Sequence, residues 1–156
     1  LYYYLSPKED LLAWPLRRLL SDLAVDVAYI VGRDEPARDR LGAIIAAYLQ
    51  LFADHRDVCA VLLTDLGRIT RIPALADATW AAFHEPVRKL LDDGEHDGSL
   101  CGADDDLTAS AIYGAVTMVG LHHILTGKPV DPPAMSQRLE RLILHGLTPA
   151  PERTNR

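Results

Sequence analysis

The chain has little cysteine chemistry to offer. Cys59 and Cys101 are its two cysteines, far apart and without the paired spacing that a zinc site needs. They read as reduced cytosolic thiols. No apolar run approaches the ~20 residues of a membrane span, and no signal peptide is visible. The expectation is a soluble, cytoplasmic protein with no membrane partner. Strand-like alternation, internal repeats and low-complexity tracts are also missing.

Metal and catalytic motifs are equally scarce. A di-iron site in a helix bundle needs Glu-x-x-His pairs on facing helices. None of the six glutamates has a histidine three residues later. His122 and His123 are adjacent, so on a helix they point to different faces and cannot chelate one metal together. There is no His-Glu-x-x-His, no Gly-rich phosphate loop and no Gly-x-Ser-x-Gly elbow. We expect no metal, no cofactor and no enzymatic activity.

Positive charge is in short supply too. Sixteen Lys and Arg face 22 Asp and Glu, for a formal net charge of −6. A complete DNA-binding protein usually carries a basic patch. Near the start of the chain only Lys8, Arg17 and Arg18 could contribute to one, so this segment is not expected to hold DNA by itself.

What is present is helical periodicity. The 156 residues are 49% hydrophobic, enough for one domain that buries roughly two-thirds of its unfolded surface. From Pro7 to about Val31, Leu11, Leu12, Leu16, Leu19, Leu20, Leu23, Val27 and Ile30 recur at three- and four-residue steps. Ser6, Pro7 and Glu9 form a capping box with proline at the first helical position. Pro15 lies inside this helix and predicts a kink. A second helix is expected from about Pro36 to Asp54, and a short third one from about His55 to Leu66. The fourth should run from Pro73 to about Asp93, with a kink or break at Pro86. Gly94 to Gly102 reads as a turn. A fifth helix, apolar and rich in small residues, follows to about Thr126, and a last one from about Pro133 to His145. The fold class is all-α.

Three pairs of side chains sit four apart and share a helical face: Tyr48 with Phe52, Trp80 with His84, and Tyr113 with Thr117. Two readings stand side by side. One is ordinary core, in which each polar tip finds a hydrogen-bond partner. The other is an apolar pocket between helices with a few convergent polar groups, the usual form of a small-molecule site. The last two helices, joined by a Pro-rich turn, form a hairpin that either completes the monomer core or meets a partner.

The opening residues add a resemblance. Leu1-Tyr2-Tyr3-Tyr4-Leu5 followed by Lys8-Glu9-Asp10-Leu11-Leu12 is similar to the end of the recognition helix, and the junction after it, in the TetR family of bacterial repressors. Tyr4 stands where histidine is usual, and Leu5 where an aromatic is usual. The resemblance implies residues 1–5 as the end of a helix-turn-helix DNA-binding domain whose larger part is absent here. Residues 6–147 would form a ligand-binding and dimerisation domain with a two-helix dimerisation hairpin, and residues 148–156 a flexible tail. It further implies Tyr2, Tyr4 and Lys8 as contacts to operator DNA phosphates, which position a protein without reading sequence. Tyr48, Phe52, Trp80, His84, Tyr113 and Thr117 would line the effector pocket. A homodimer is expected, with Met118, His122, Leu139, Leu142 and Ile143 near the seam. The implied function is a repressor released from its operator by a small-molecule effector. The alternative is a helical small-molecule binding protein with no DNA role.

Overall fold

In the computed structural model, residues 7–64, 73–101 and 105–145 are described, with the side chains of 7–13, 62–64, 73–75 and 105 outside that set. Among the described residues there are six helices and no strand. They are α1 (Pro7–Val31), α2 (Ala37–Asp54), α3 (Arg56–Thr64), α4 (Pro73–Asp97), α5 (Asp105–Leu125) and α6 (Pro132–His145). The expected Ser6 cap and the residues Tyr2 and Tyr4 lie outside the described residues, as does the side chain of Lys8.

The body is organised around α2. Every other helix packs against it, and its apolar positions Leu41, Ile44, Ile45, Tyr48, Leu49 and Phe52 are all buried. Such spacing lays them along one broad face, which buried Arg40 and Leu51 widen. α1 lies chiefly against α4 and sends Leu16, Leu19, Leu20, Leu23, Val27 and Ile30 into the shared core.

Pro15 and Pro86 each sit inside one continuous helix, so the break considered at Pro86 does not occur. Each proline lacks the N–H that would bond four residues back. At Pro86 the unclaimed carbonyl is that of Ala82, and the buried hydroxyl of Tyr48 donates to it at 3.0 Å and to the carbonyl of Phe83 at 3.1 Å. A side chain on α2 thus compensates the backbone of α4.

α4 also runs past its expected end. Gly94 is helical and buried, because a side chain there would collide with Leu100: its Cβ would stand 2.6 Å from Leu100 Cδ1. The turn comes at Gly98, whose φ of +73° is the left-handed conformation glycine adopts freely. Asp97, the last residue of α4, and Ser99 beyond it then cap α2 from outside. The Ala37 N–H donates to Asp97 Oδ2 at 2.8 Å, and the Arg38 N–H to Ser99 Oγ at 3.2 Å. Pro36, at the cap position itself, offers no side-chain acceptor.

Two arginines tie helix ends together. Buried Arg40 donates to the Val31 carbonyl at 2.6 Å and pairs with Asp93 at 3.1 Å, fixing the end of α1 to α2 and α4. Arg56 donates to the carbonyls of His123 and Ile124 in the last turn of α5 and of Lys128 just beyond it.

α5 departs from one expectation. Asp106–Leu125 is long and apolar enough to cross a membrane by length and composition, although polar residues interrupt its apolar run. Its Ala109, Ile112, Val116 and Gly120 are buried in the core. The ring of Phe52 lies against Gly120, whose Cβ would come within 2.5 Å of it.

Candidate functional site

The six candidate pocket residues fall on α2, α4 and α5, three mutually packed helices. Tyr48 and Phe52 are buried to within 2% of full enclosure, Phe52 against Gly120 and Tyr48 bonded to α4 carbonyls. An aromatic chain links the helices, with Tyr48 and Phe83 at 4.7 Å between ring centroids and Phe83 and Tyr113 at 5.2 Å. Burial, with a smaller contribution from neighbouring Tyr113, pushes the Tyr48 phenol far above its ordinary range. Burial also raises that of Tyr113, against the opposing hydrogen bond to Thr117. Both phenols are neutral donors at any physiological pH.

Trp80 and His84 form a separate pair at the edge of this chain. Their rings stack at 3.6 Å with an interplanar angle of 18°. Trp80 is 55% exposed while His84 is only 4% exposed, so the indole covers the imidazole on its solvent side. His84 Nε2 lies 3.2 Å from Ser110 Oγ on α5. Its other nitrogen, Nδ1, is buried without a hydrogen-bond partner among the described residues. A buried polar atom left unpaired is costly, on the order of 1–3 kcal/mol.

Ser110 was not among the sequence candidates. Its signal was present: Ser110, Tyr113 and Thr117 are spaced three and four apart on a mostly apolar helix, which puts three hydroxyls along one face.

The expected seam residues separate into two groups. Met118 and His122 are exposed on α5 and Leu142 on α6; Ile143 is half-buried, and Leu139 is buried inside the monomer. Ala111, Met118, His122 and Leu125 form an exposed row at helical spacing, and Gly114 within it has nothing within 4 Å of where a side chain would begin. Among the described residues no cluster of three or more His, Cys, Asp or Glu side chains could hold a metal.

Among the described residues the architecture is a bundle of six helices whose last two are α5 and α6. It superposes on the solved structure of a proposed fatty acid metabolism regulator from Clostridium perfringens with a TM-score of 0.81, covering 96% of this chain and 80% of that one at 16% identity. At that identity the likeness is one of fold. No curated protein matches the sequence. Residues 34–147 match the family described as tetracyclin repressor-like, C-terminal domain, and the chain belongs to that family. It is a ligand-responsive transcriptional regulator of the TetR type.

Proposed function

We propose that this regulator is a repressor whose effector binds beside His84, between α4 and α5, and thereby releases operator DNA. The observation that carries the reading is the unpaired, buried Nδ1 of His84 beneath the exposed indole of Trp80. Ser110, Tyr113 and Thr117 supply further hydroxyls, and Phe83 an apolar wall. Tyr48 and Phe52 act as the floor of the site. One polar handle among apolar surfaces suits an amphiphile with a single polar end. The name of the Clostridium perfringens relative makes fatty acids the first ligands to try.

Residues 1–5 would close the recognition helix of the DNA-binding head, with Tyr2, Tyr4 and Lys8 on operator phosphates. Residues 6–147 form the ligand-binding and dimerisation body, and 148–156 a tail. The body would pair with a second copy through the exposed row of α5 and the outer face of α6, including Met118, His122 and Leu142, with Leu139 and Ile143 supporting the hairpin from inside. Such a two-fold contact uses the same patch on both partners. α1 joins head to body and packs chiefly on α4, so a ligand that shifts α4 moves the base of α1. Pro15 gives α1 its weak point near the head. A coupling of about 1–3 kcal/mol changes operator affinity by one to two orders of magnitude, provided the ligand binds the two head positions unequally.

The test is palmitate titrated into the protein while tryptophan fluorescence is followed. Saturable change that disappears in His84→Phe supports the site. Equal binding by His84→Phe places the ligand elsewhere.

A further inference from the structure

We propose a second binding site, for a small organic oxyanion, in the cleft between the start of α2 and the last turns of α6. The cleft has a volume of about 310 Å³ and is lined by Arg38, Gln137, Glu140, Arg141, Leu144 and His145. It shares no residue with the site at His84.

Its positive charge is only partly compensated. The protein carries a net charge of −6, yet two guanidinium groups face this cleft and neither forms an ion pair among the described residues. Arg38 Nη2 lies 3.5 Å from His145 Nε2, a contact between an obligate donor and a ring nitrogen that must then accept. Arg141 has no polar contact among the described residues. The one carboxylate present, that of Glu140, lies against α2, where its Oε2 stands 3.0 Å from the place a Gly42 side chain would begin. The missing side chain at Gly42 thus lets the acid lean on the helix backbone instead of neutralising an arginine.

The backbone that carries Arg38 is held in place. The backbone N–H of Arg38 is anchored by Ser99 Oγ at 3.2 Å, and that of the preceding Ala37 by Asp97 at 2.8 Å. Arg141 is carried on a helix packed along α2. A guanidinium presents a planar fork of N–H groups that matches carboxylate and phosphate oxygens. The Gln137 amide adds a donor, and Leu144 gives one apolar wall. The volume corresponds to about ten waters, which suits a phosphate ester or a small dicarboxylate. Bound there, the anion would bridge the hairpin to the central helix.

The experiment is a titration of the isotope-labelled full chain, followed by amide NMR in about 150 mM salt, where exposed charges are screened. One arm uses inorganic phosphate and the other succinate. The expected result is saturable shifts confined to residues 36–40 and 137–145. Arg38→Gln and Arg141→Gln should each weaken binding about tenfold or more, with the melting temperature of the free protein unchanged because both side chains are exposed. Saturation with phosphate alone assigns a phosphate ester, and saturation with succinate alone a carboxylate. No saturable shift in either arm, or undiminished affinity in the double variant, overturns the site.

Discussion

The hydroxyl of Tyr48 on α2 donates to the Ala82 carbonyl that Pro86 leaves without its helical N–H. One side chain therefore allows a proline to sit inside the helix that carries Trp80 and His84. Tyr48→Phe should destabilise the protein by about 1–2 kcal/mol, since a buried carbonyl loses its donor. In a Pro86→Ala background the same change should cost less, because residue 86 then supplies the N–H. Urea unfolding of the four proteins in this cycle measures the difference.

Two glycines of α5 should respond in opposite ways. Gly120→Ala drives a methyl group into the ring of Phe52 and should cost about 1–3 kcal/mol by overpacking. Gly114 has open space around it, so Gly114→Leu should leave the monomer folded. If α5 packs closely on its mate, that bulk should separate the dimer. Sedimentation equilibrium at micromolar concentration should give twice the 17.2 kDa chain mass for the parent and a shift toward single chains for Gly114→Leu. A parent that sediments as a monomer would contradict the proposed pairing.

The cap on α2 should show itself in acid. The Ser99 hydroxyl, and after it the Ala37 and Ser99 N–H groups, hold the Asp97 carboxyl below its ordinary value of 3.8. Because the folded value is the lower one, the stabilisation is complete above pH 3.8 and is lost as pH falls through the folded value. Asp97→Asn should thus be less stable than the parent near neutrality, with the gap closing as acid protonates the parent. Thermal melts of both proteins from neutral to strongly acidic pH check the convergence.

The two thiols should differ sharply in reactivity. Burial pushes the Cys59 thiol up to about 12, whereas Cys101 is exposed. Thiolate is the reactive form, so iodoacetamide should label Cys101 in the native protein and reach Cys59 only after unfolding.

The helices were legible because apolar residues at three- and four-residue spacing have few alternatives in a chain without strand alternation. The boundaries of α1, α2 and α6 fell within a residue or so of expectation. The end of α4 did not, because Gly94 reads locally as a turn signal, while its actual role is to admit Leu100 from beyond the helix. Pro86 misled in the same way: the donor that tolerates it, Tyr48, lies 38 positions away in sequence and no local rule reveals it. Of the candidate pocket, the pairing of Trp80 with His84 followed from spacing. The partner Ser110 and the unpaired Nδ1 depend on how α4 and α5 meet, which periodicity alone does not specify.

The most direct test of the account is effector release from DNA. The full-length regulator, bound to its operator, is titrated with effector while DNA occupancy is followed, and the Trp80→Ala and His84→Phe variants are treated alike. The account predicts that the parent lets go of DNA, whereas both variants bind operator as the parent does without effector and hold it as effector is added. Release by Trp80→Ala and His84→Phe at the parent's effector concentration would contradict it, and the stacked pair would then be part of the core alone.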